Sequence, residues 1–259
     1  MLMSALVSCA VSAVASSPLP PLRAQGSHFV DPKGEQVVLK GCNLGNWLML
    51  EMWIFAFPEK TWKPGDQHEW LQTLEMRFGR SETERLMDIY RSSWITARDW
   101  PIIKRFGMNV VRLPIDYRLI ESPDKPMTLR KDAWEWIDKC VDQAERHGLY
   151  TILDLHGAPG GQSVYDHTGH SGQNKLWTDP KAQDRFVWVW KQMAQRYGKR
   201  SAVAAYDLVN EPYGSNAQQL LSLMSRTVRE VRAIDKDKVL FLPANFEGWS
   251  FYLPELRKG

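Results

Sequence analysis

The chain is poor in cysteine, with Cys9, Cys42 and Cys140 in 259 residues. No C-x-x-C pair and no metal-ligand spacing of Cys and His occurs, which argues against zinc modules and thioredoxin-like redox motifs. Cys140 falls on an apolar helical face, so Cys42 and Cys140 read as buried thiols rather than a disulfide. Charge of one sign is also missing. Lys and Arg number 33 against 30 Asp and Glu, a formal net charge of +3. With no basic run and no RNA-binding signature, nucleic acid is not an expected partner. No apolar run reaches the ~20 residues of a membrane-spanning helix. No G-x-G-x-x-G opens a helix after the first strand, which weakens a dinucleotide fold.

What is present is a 44% hydrophobic chain with twelve tryptophans, enough apolar material for one large core. Core packing accounts for most of the indoles; the remainder suit a groove whose ligand has flat apolar faces, as sugars do. Leu2 to Val14 is apolar or small and ends in the A-x-A pattern Ala13-Val14-Ala15. Residues 1–15 therefore read as an export signal, although no Lys or Arg precedes the apolar stretch, and the expected location is extracellular or periplasmic. "LVSC", Leu6 to Cys9, offers a weaker alternative as a lipoprotein box that would lipidate Cys9. Residues 16–27 read as a Pro-rich linker, and residues 28–259 as one domain.

Along that domain the pattern alternates. "HFVDPKGEQVVLKG" predicts a hairpin turning at Asp31-Pro32-Lys33-Gly34. Strands are expected in "VVLKGCNLG", "MNVVRLPI", "LYTILDLHG", "AVAAYDLVNE" and "KVLFLPAN". Between them lie long connections or helices at 99–106, 132–147, 183–197 and 216–234. Ala133, Ile137, Cys140, Val141 and Ala144 share one helical face, as do Phe186, Val189, Trp190, Met193 and Tyr197. Strands apolar on both faces, alternating with helices, mean an α/β architecture with a covered parallel sheet. Polar residues collect at the expected strand ends, at Asn43, Arg112, His156, Asn210 and Glu211, which favours a (β/α)8 TIM barrel over a doubly wound sheet. About five βα units are legible where a closed barrel needs eight. The expectation is an incomplete barrel.

Glu211, in "AAYDLVNEPYG", is the leading chemical candidate. A carboxylate at the top of a buried strand must be hydrogen-bonded or used. Read alone, it serves equally well as a helix N-terminal carboxylate ahead of Pro212. Strict alternation would send Asn210 to the opposite face, so both reach one site only if the strand end twists or breaks. His156 ends a strand before a Gly-rich loop, and a lone histidine there is more often structural. Arg112, expected at the end of a buried strand, needs a carboxylate partner.

Taken together, "GCNLGNWLMLEMWI", "GMNVVRLPIDY", "LDLHGAPGGQ" and "YDLVNEP" resemble the successive strand-end motifs of glycoside hydrolase family 5. The likeness is strongest to its exo-β-1,3-glucanase branch and runs over roughly residues 23–250. It implies a retaining β-glycosidase acting on β-glucans, of β-1,3 or cellulose-like linkage, without a cofactor or metal. By motif position Glu211 would be the general acid/base and Asn210 would bind the sugar 2-hydroxyl. Arg112 would hold the nucleophilic carboxylate ionised, and His156 would bind hydroxyls of the cleaved sugar. Glu51, Tyr165, Asp166 and Trp249 would form the substrate-binding set. The chain departs from the pattern at Asn46, where Gly is usual, at Gly161, where Ser is usual, and at His167, where Asn stands beside the aspartate.

Retention needs a second carboxylate, ~5–5.5 Å from the first. In this family it ends the seventh strand, and no such motif is found here. Glu247 falls in the loop after the fifth strand and reads as a surface or subsite residue. The expectation is a monomeric, partial catalytic domain that is inactive for want of its nucleophile. Two rival classes remain: a non-catalytic sugar-binding protein derived from such a barrel, in which Asp166 and Trp249 would matter more than Glu211, and a metal-dependent barrel enzyme, which the lack of clustered His and Asp disfavours.

Overall fold

The computed structural model describes residues 18–244. Three short strands come first, β1 (Arg23–Gln25), β2 (His28–Val30) and β3 (Gln36–Val37), in an antiparallel sheet of order β1-β2-β3. The hairpin expected around Asp31–Gly34 is the β2–β3 pair, closed by Asp31 N–H to Glu35 O at 3.0 Å. Within the stretch read as a linker, Arg23–Gln25 form β1, and Leu22 is buried. Tyr150 Oη donates to Pro20 O at 2.9 Å, so this segment is seated on the domain rather than leading away from it.

The main sheet is parallel, of order β4-β5-β6-β7-β8. Its strands are β4 (Gly41–Asn43), β5 (Val110–Asp116), β6 (Tyr150–Gly157), β7 (Val203–Asp207) and β8 (Val239–Phe241). Between β4 and β5 run α1 (Gln67–Phe78), α2 (Arg80–Trp94) and α3 (Asp99–Arg105); α4 (Glu135–Arg146), α5 (Pro180–Tyr197) and α6 (Ala217–Arg232) make the later crossovers. Sequential parallel strands joined by helices, five strands and four helical crossovers among the described residues, are part of a (β/α)8 barrel, incomplete as the sequence predicts.

Helices α5 and α6 begin where their capping residues say. Asp179 caps α5 by accepting from Lys181 N–H, with Pro180 in the first turn, where its missing N–H costs nothing. Asn216 and Gln219 form a reciprocal capping box on α6. The faces expected to be apolar on α4 and α5 are buried against the outer face of the sheet, where Val111, Leu113, Ile115, Leu153 and Leu155 have no exposed surface. Burying each such side chain contributes about 1.5–3 kcal/mol.

The inner face is divided. At its lower end Val110, Tyr150, Ile152 and Ala205 pack with Leu22, Phe29 and Val37, so the hairpin sheet covers the N-terminal ends of the strands. Higher up, the register aligns Asn43 with Arg112 and, two residues further along β6, Asp154 with Asp207, so polar side chains of four strands follow one another on the inward face. The run "VVLKGCNLG" is not one strand: its first residue, Val37, ends β3 and its middle, Gly41–Asn43, forms β4. Asn109 makes the joint, accepting from Lys40 N–H and donating to Val38 O, each at 2.8 Å. Among the described residues no helix is long and apolar enough to cross a membrane.

Candidate active site

Arg112 is the third residue of β5 rather than its last, and it lies level with the end of the shorter β4. The partners its burial demands are two aspartates. Its Nε and Nη2 donate to Asp207 Oδ2 at 2.9 and 2.8 Å, and Nη2 lies 3.1 Å from Asp154 Oδ2. Nη2 also donates to Asn210 Oδ1 at 3.0 Å, and Nη1 reaches Asn43 Oδ1 at 3.4 Å. Burial pushes the guanidinium toward losing its proton, but Asp154 and Asp207 outweigh that and hold it cationic. Asp207 moves the other way. Burial first, and the nearby Asp154 second, raise its carboxyl to about 6 against the opposing pull of Arg112.

Asp154 extends the network to His156, whose Nδ1 lies 2.6 Å from the same Oδ2. Burial would lower the His156 pKa, yet Asp154 and then Glu51 carry it above its ordinary value. Because Asn210 gives its oxygen to Arg112, its amide nitrogen faces His156 Nε2, at 3.2 Å. Glu51 Oε1 stands 3.6 Å from that same ring nitrogen, and Glu51 Oε2 accepts from Trp53 Nε1 at 2.8 Å. Glu51 is aimed by Asn46, whose side chain accepts the Glu51 N–H at 2.6 Å and whose φ is +56°. That left-handed backbone is what the usual Gly would supply freely, and Asn is among the residues that tolerate it.

Strand β7 stops at Asp207, and this break resolves the alternation problem. Leu208 N–H goes to Phe241 O at 3.2 Å, Asn210 N–H to Leu155 O at 3.3 Å, and Glu211 takes φ +41°. Asn210 thereby turns in toward Arg112 while Glu211 rises above it. Gln162, fully buried in the Gly-rich loop, donates from Nε2 to both His156 O (2.6 Å) and Asn210 O (3.0 Å), tying the two loops together. Glu211 is 54% exposed, with Oε2 3.4 Å from His167 Nδ1. It lines a cavity of ≈ 240 Å³ with Ser163, Tyr165, Asp166, His167 and Tyr213. That is below the roughly 300–1,000 Å³ of pockets for drug-sized ligands, so it admits a small ring and leaves a longer ligand to extend outward.

Of the candidate residues, then, the structure joins Arg112, His156, Asn210 and Glu51 in one hydrogen-bonded and charge-paired chain. It sets Glu211, Tyr165 and Asp166 around the adjoining cavity. Trp249 and Glu247 lie outside the described residues. Sequence reasoning left Gln162 and Trp53 without a role, although both fall inside the quoted motifs. Among the described residues no three His, Cys, Asp or Glu side chains gather as a metal-holding group. Cys42 and Cys140 carry free thiols.

The arrangement suits proton transfer at an exposed carboxylate beside a fixed set of hydroxyl-binding groups. Residues 77–253 match the family model described as cellulase (glycosyl hydrolase family 5). The chain is 32% identical over 226 residues to a beta-xylosidase of Phanerodontia chrysosporium, covering 86% of this chain and 46% of that protein. It is 32% identical over 257 residues to a probable glucan 1,3-beta-glucosidase A of Aspergillus clavatus, covering 96% of this chain and 60% of the relative. The chain thus spans about half the length of the curated relatives it matches. A crystal structure of a rutinosidase from Aspergillus niger superposes with a TM-score of 0.71 at 16% identity, covering 83% of this chain and 64% of the other, a likeness of fold.

Proposed function

Since the chain belongs to glycosyl hydrolase family 5, we propose that it is the acid/base half of a retaining β-glycosidase that hydrolyses β-glucans. One observation carries this reading: Glu211 leaves the strand in a left-handed turn and faces the cavity, while Asn210 beside it is pinned inward by Arg112. A plain helix cap would need neither. In the proposed reaction Glu211 protonates the glycosidic oxygen as the bond to the sugar breaks, then takes a proton from the incoming water. Asn210, His156, Glu51 and Asp166 hold hydroxyls of the cleaved sugar, and Tyr165, half exposed at the cavity rim, offers a ring face to the next one. The glucan 1,3-beta-glucosidase named among the relatives supports a β-1,3-linked substrate for this chain.

The nearby carboxylates are already engaged. Asp154 and Asp207 are bound to Arg112, and Glu51 is held by Trp53 and His156. None of them is offered as the nucleophile, and the 259-residue chain by itself is expected to hydrolyse nothing. Incubation with laminarin-type and cellulosic substrates is expected to release no sugar, whereas laminari-oligosaccharides are expected to perturb the NMR signals of Tyr165 and Asp166. Turnover abolished by Glu211→Gln would overturn the inactivity and point to a nucleophile within the chain, with Glu247 first to test. Absence of any sugar-induced perturbation would sink the substrate assignment. Export, proposed from residues 1–15, is checked by N-terminal sequencing of the protein recovered from the medium.

A further inference from the structure

His167 occupies the position at which the resembling motif carries Asn, and its surroundings are asymmetric. It sits in the short turn Asp166–Thr168, held by Thr168 Oγ1 donating to Tyr165 O at 3.0 Å and Gly169 N–H donating to Asp166 O at 2.8 Å. The residue is 8% exposed. One ring nitrogen, Nδ1, lies 3.4 Å from Glu211 Oε2; the other, Nε2, is buried with no hydrogen-bond partner. These two facts locate the proton. Placed on Nε2, it would bury an N–H without an acceptor, at a cost of about 1–3 kcal/mol. Placed on Nδ1, it faces a carboxylate and leaves only a lone pair unmatched.

The charge state follows from the groups that face the ring. Glu211 approaches from the loop after β7, Glu51 from the loop after β4, Asp166 from the adjacent position, and His156, edge-on at 6.4 Å, from the end of β6. Burial, reinforced by His156, draws the imidazole below its ordinary pKa against the three carboxylates. The ring is therefore uncharged in neutral solution, with one donor and no fixed positive charge to keep Glu211 ionised.

We infer that His167 is a positioning residue for Glu211: its Nδ1–H holds Oε2, leaving Oε1 as the oxygen that gives up and recovers the proton. This rests on the acid/base reading of Glu211 given above. An uncharged donor directs the carboxyl while opposing its protonation less than the full positive charge of an arginine or lysine at the same place would. Nothing in the turn itself requires a histidine, since its hydrogen bonds run through Thr168 and the backbone.

The test uses the 259-residue chain and reads the ring directly, by long-range ¹H–¹⁵N NMR of the histidines across pH. At neutral pH His167 is expected uncharged with its proton on Nδ1. Glu211→Gln removes one of the three carboxylates, so the His167 midpoint is expected to fall by about half a pH unit or more. His156, which faces Asp154 and Glu51, is expected to keep its midpoint and reports that the site is still folded. A proton on Nε2, or a His167 midpoint unmoved by Glu211→Gln while His156 titrates normally, would overturn the inference. Neither result depends on hydrolysis, so the acid/base reading stands or falls separately, on the sugar-release and sugar-binding experiments.

Discussion

Asp207 is the residue at which the electrostatics of this site make the sharpest demand. Its carboxyl is raised from an ordinary 3.8 to about 6, by burial first and by Asp154 second. The folded protein thus holds that proton more tightly than the unfolded chain does. Below pH 3.8 both states are protonated and Asp207 costs nothing. As pH rises through the window from about 3.8 to about 6 the folded state must ionise a group it disfavours, and stability is lost. At about 1.36 kcal/mol per pH unit, the loss is about 3 kcal/mol. Asp207→Asn removes the titration and keeps an oxygen for Arg112 Nε, now 2.9 Å away. Relative to the parent, the variant is expected to gain about 3 kcal/mol between pH 3.5 and pH 7, whatever its offset at either end. Urea unfolding of both proteins at five or six pH values measures it. A difference independent of pH, or one in which the variant loses ground as pH rises, would refute the reasoning and mean that Arg112 governs Asp207.

Two further outcomes follow from packing. Trp190 has no exposed surface and donates its Nε1–H to Leu208 O at 2.9 Å, at the root of the loop that carries Asn210 and Glu211. Trp190→Ala is expected to cost about 3–5 kcal/mol in urea unfolding, and a loss below about 1 kcal/mol would show that the site collapses around the gap. Gly161 has φ +74°, and a Cβ built there stands 2.3 Å from Gln173 O. Gly161→Ser, which introduces the residue usual in the resembling motif, is therefore expected to destabilise by about 1–3 kcal/mol; an unchanged thermal midpoint would refute the clash.

The elements legible in the sequence were those whose period and caps agree. The apolar stripes of α4 and α5 and the β-branched runs of β5 and β6 lie where the pattern puts them. Helices α1 and α2 passed unread within a long connection. They bury few residues of their own and lean on a satellite cluster of Phe55, Phe57, Trp70 and Tyr90 that forms only in three dimensions. The end of β7 was invisible for a related reason. The apolar run continues through Leu208 and Val209, and only hydrogen bonds to β6 and β8 decide that the strand stops at Asp207. At the site, charge logic went far: a buried arginine demanded carboxylates, and Asp154 and Asp207 supply them. Which atom of the Asn210 amide and which oxygen of Glu51 meets which partner is set by side-chain geometry, which carries no trace in residue order.

The left-handed backbone of Glu211 has a consequence for how this chain would drift. A residue with a Cβ held at φ +41° gives up roughly 1–2 kcal/mol relative to glycine, and its side chain is more than half exposed, so folding gains little from keeping it. A library screened only for survival of heat would enrich glycine or asparagine at position 211, and its winners would be sturdier proteins with an empty mouth. A screen that demands capture of a laminari-oligosaccharide at the cavity Glu211 lines would, on the role proposed above, hold the glutamate against that pull. The frequency of glutamate at this one position, read by sequencing the two libraries, separates selection for folding from selection for work.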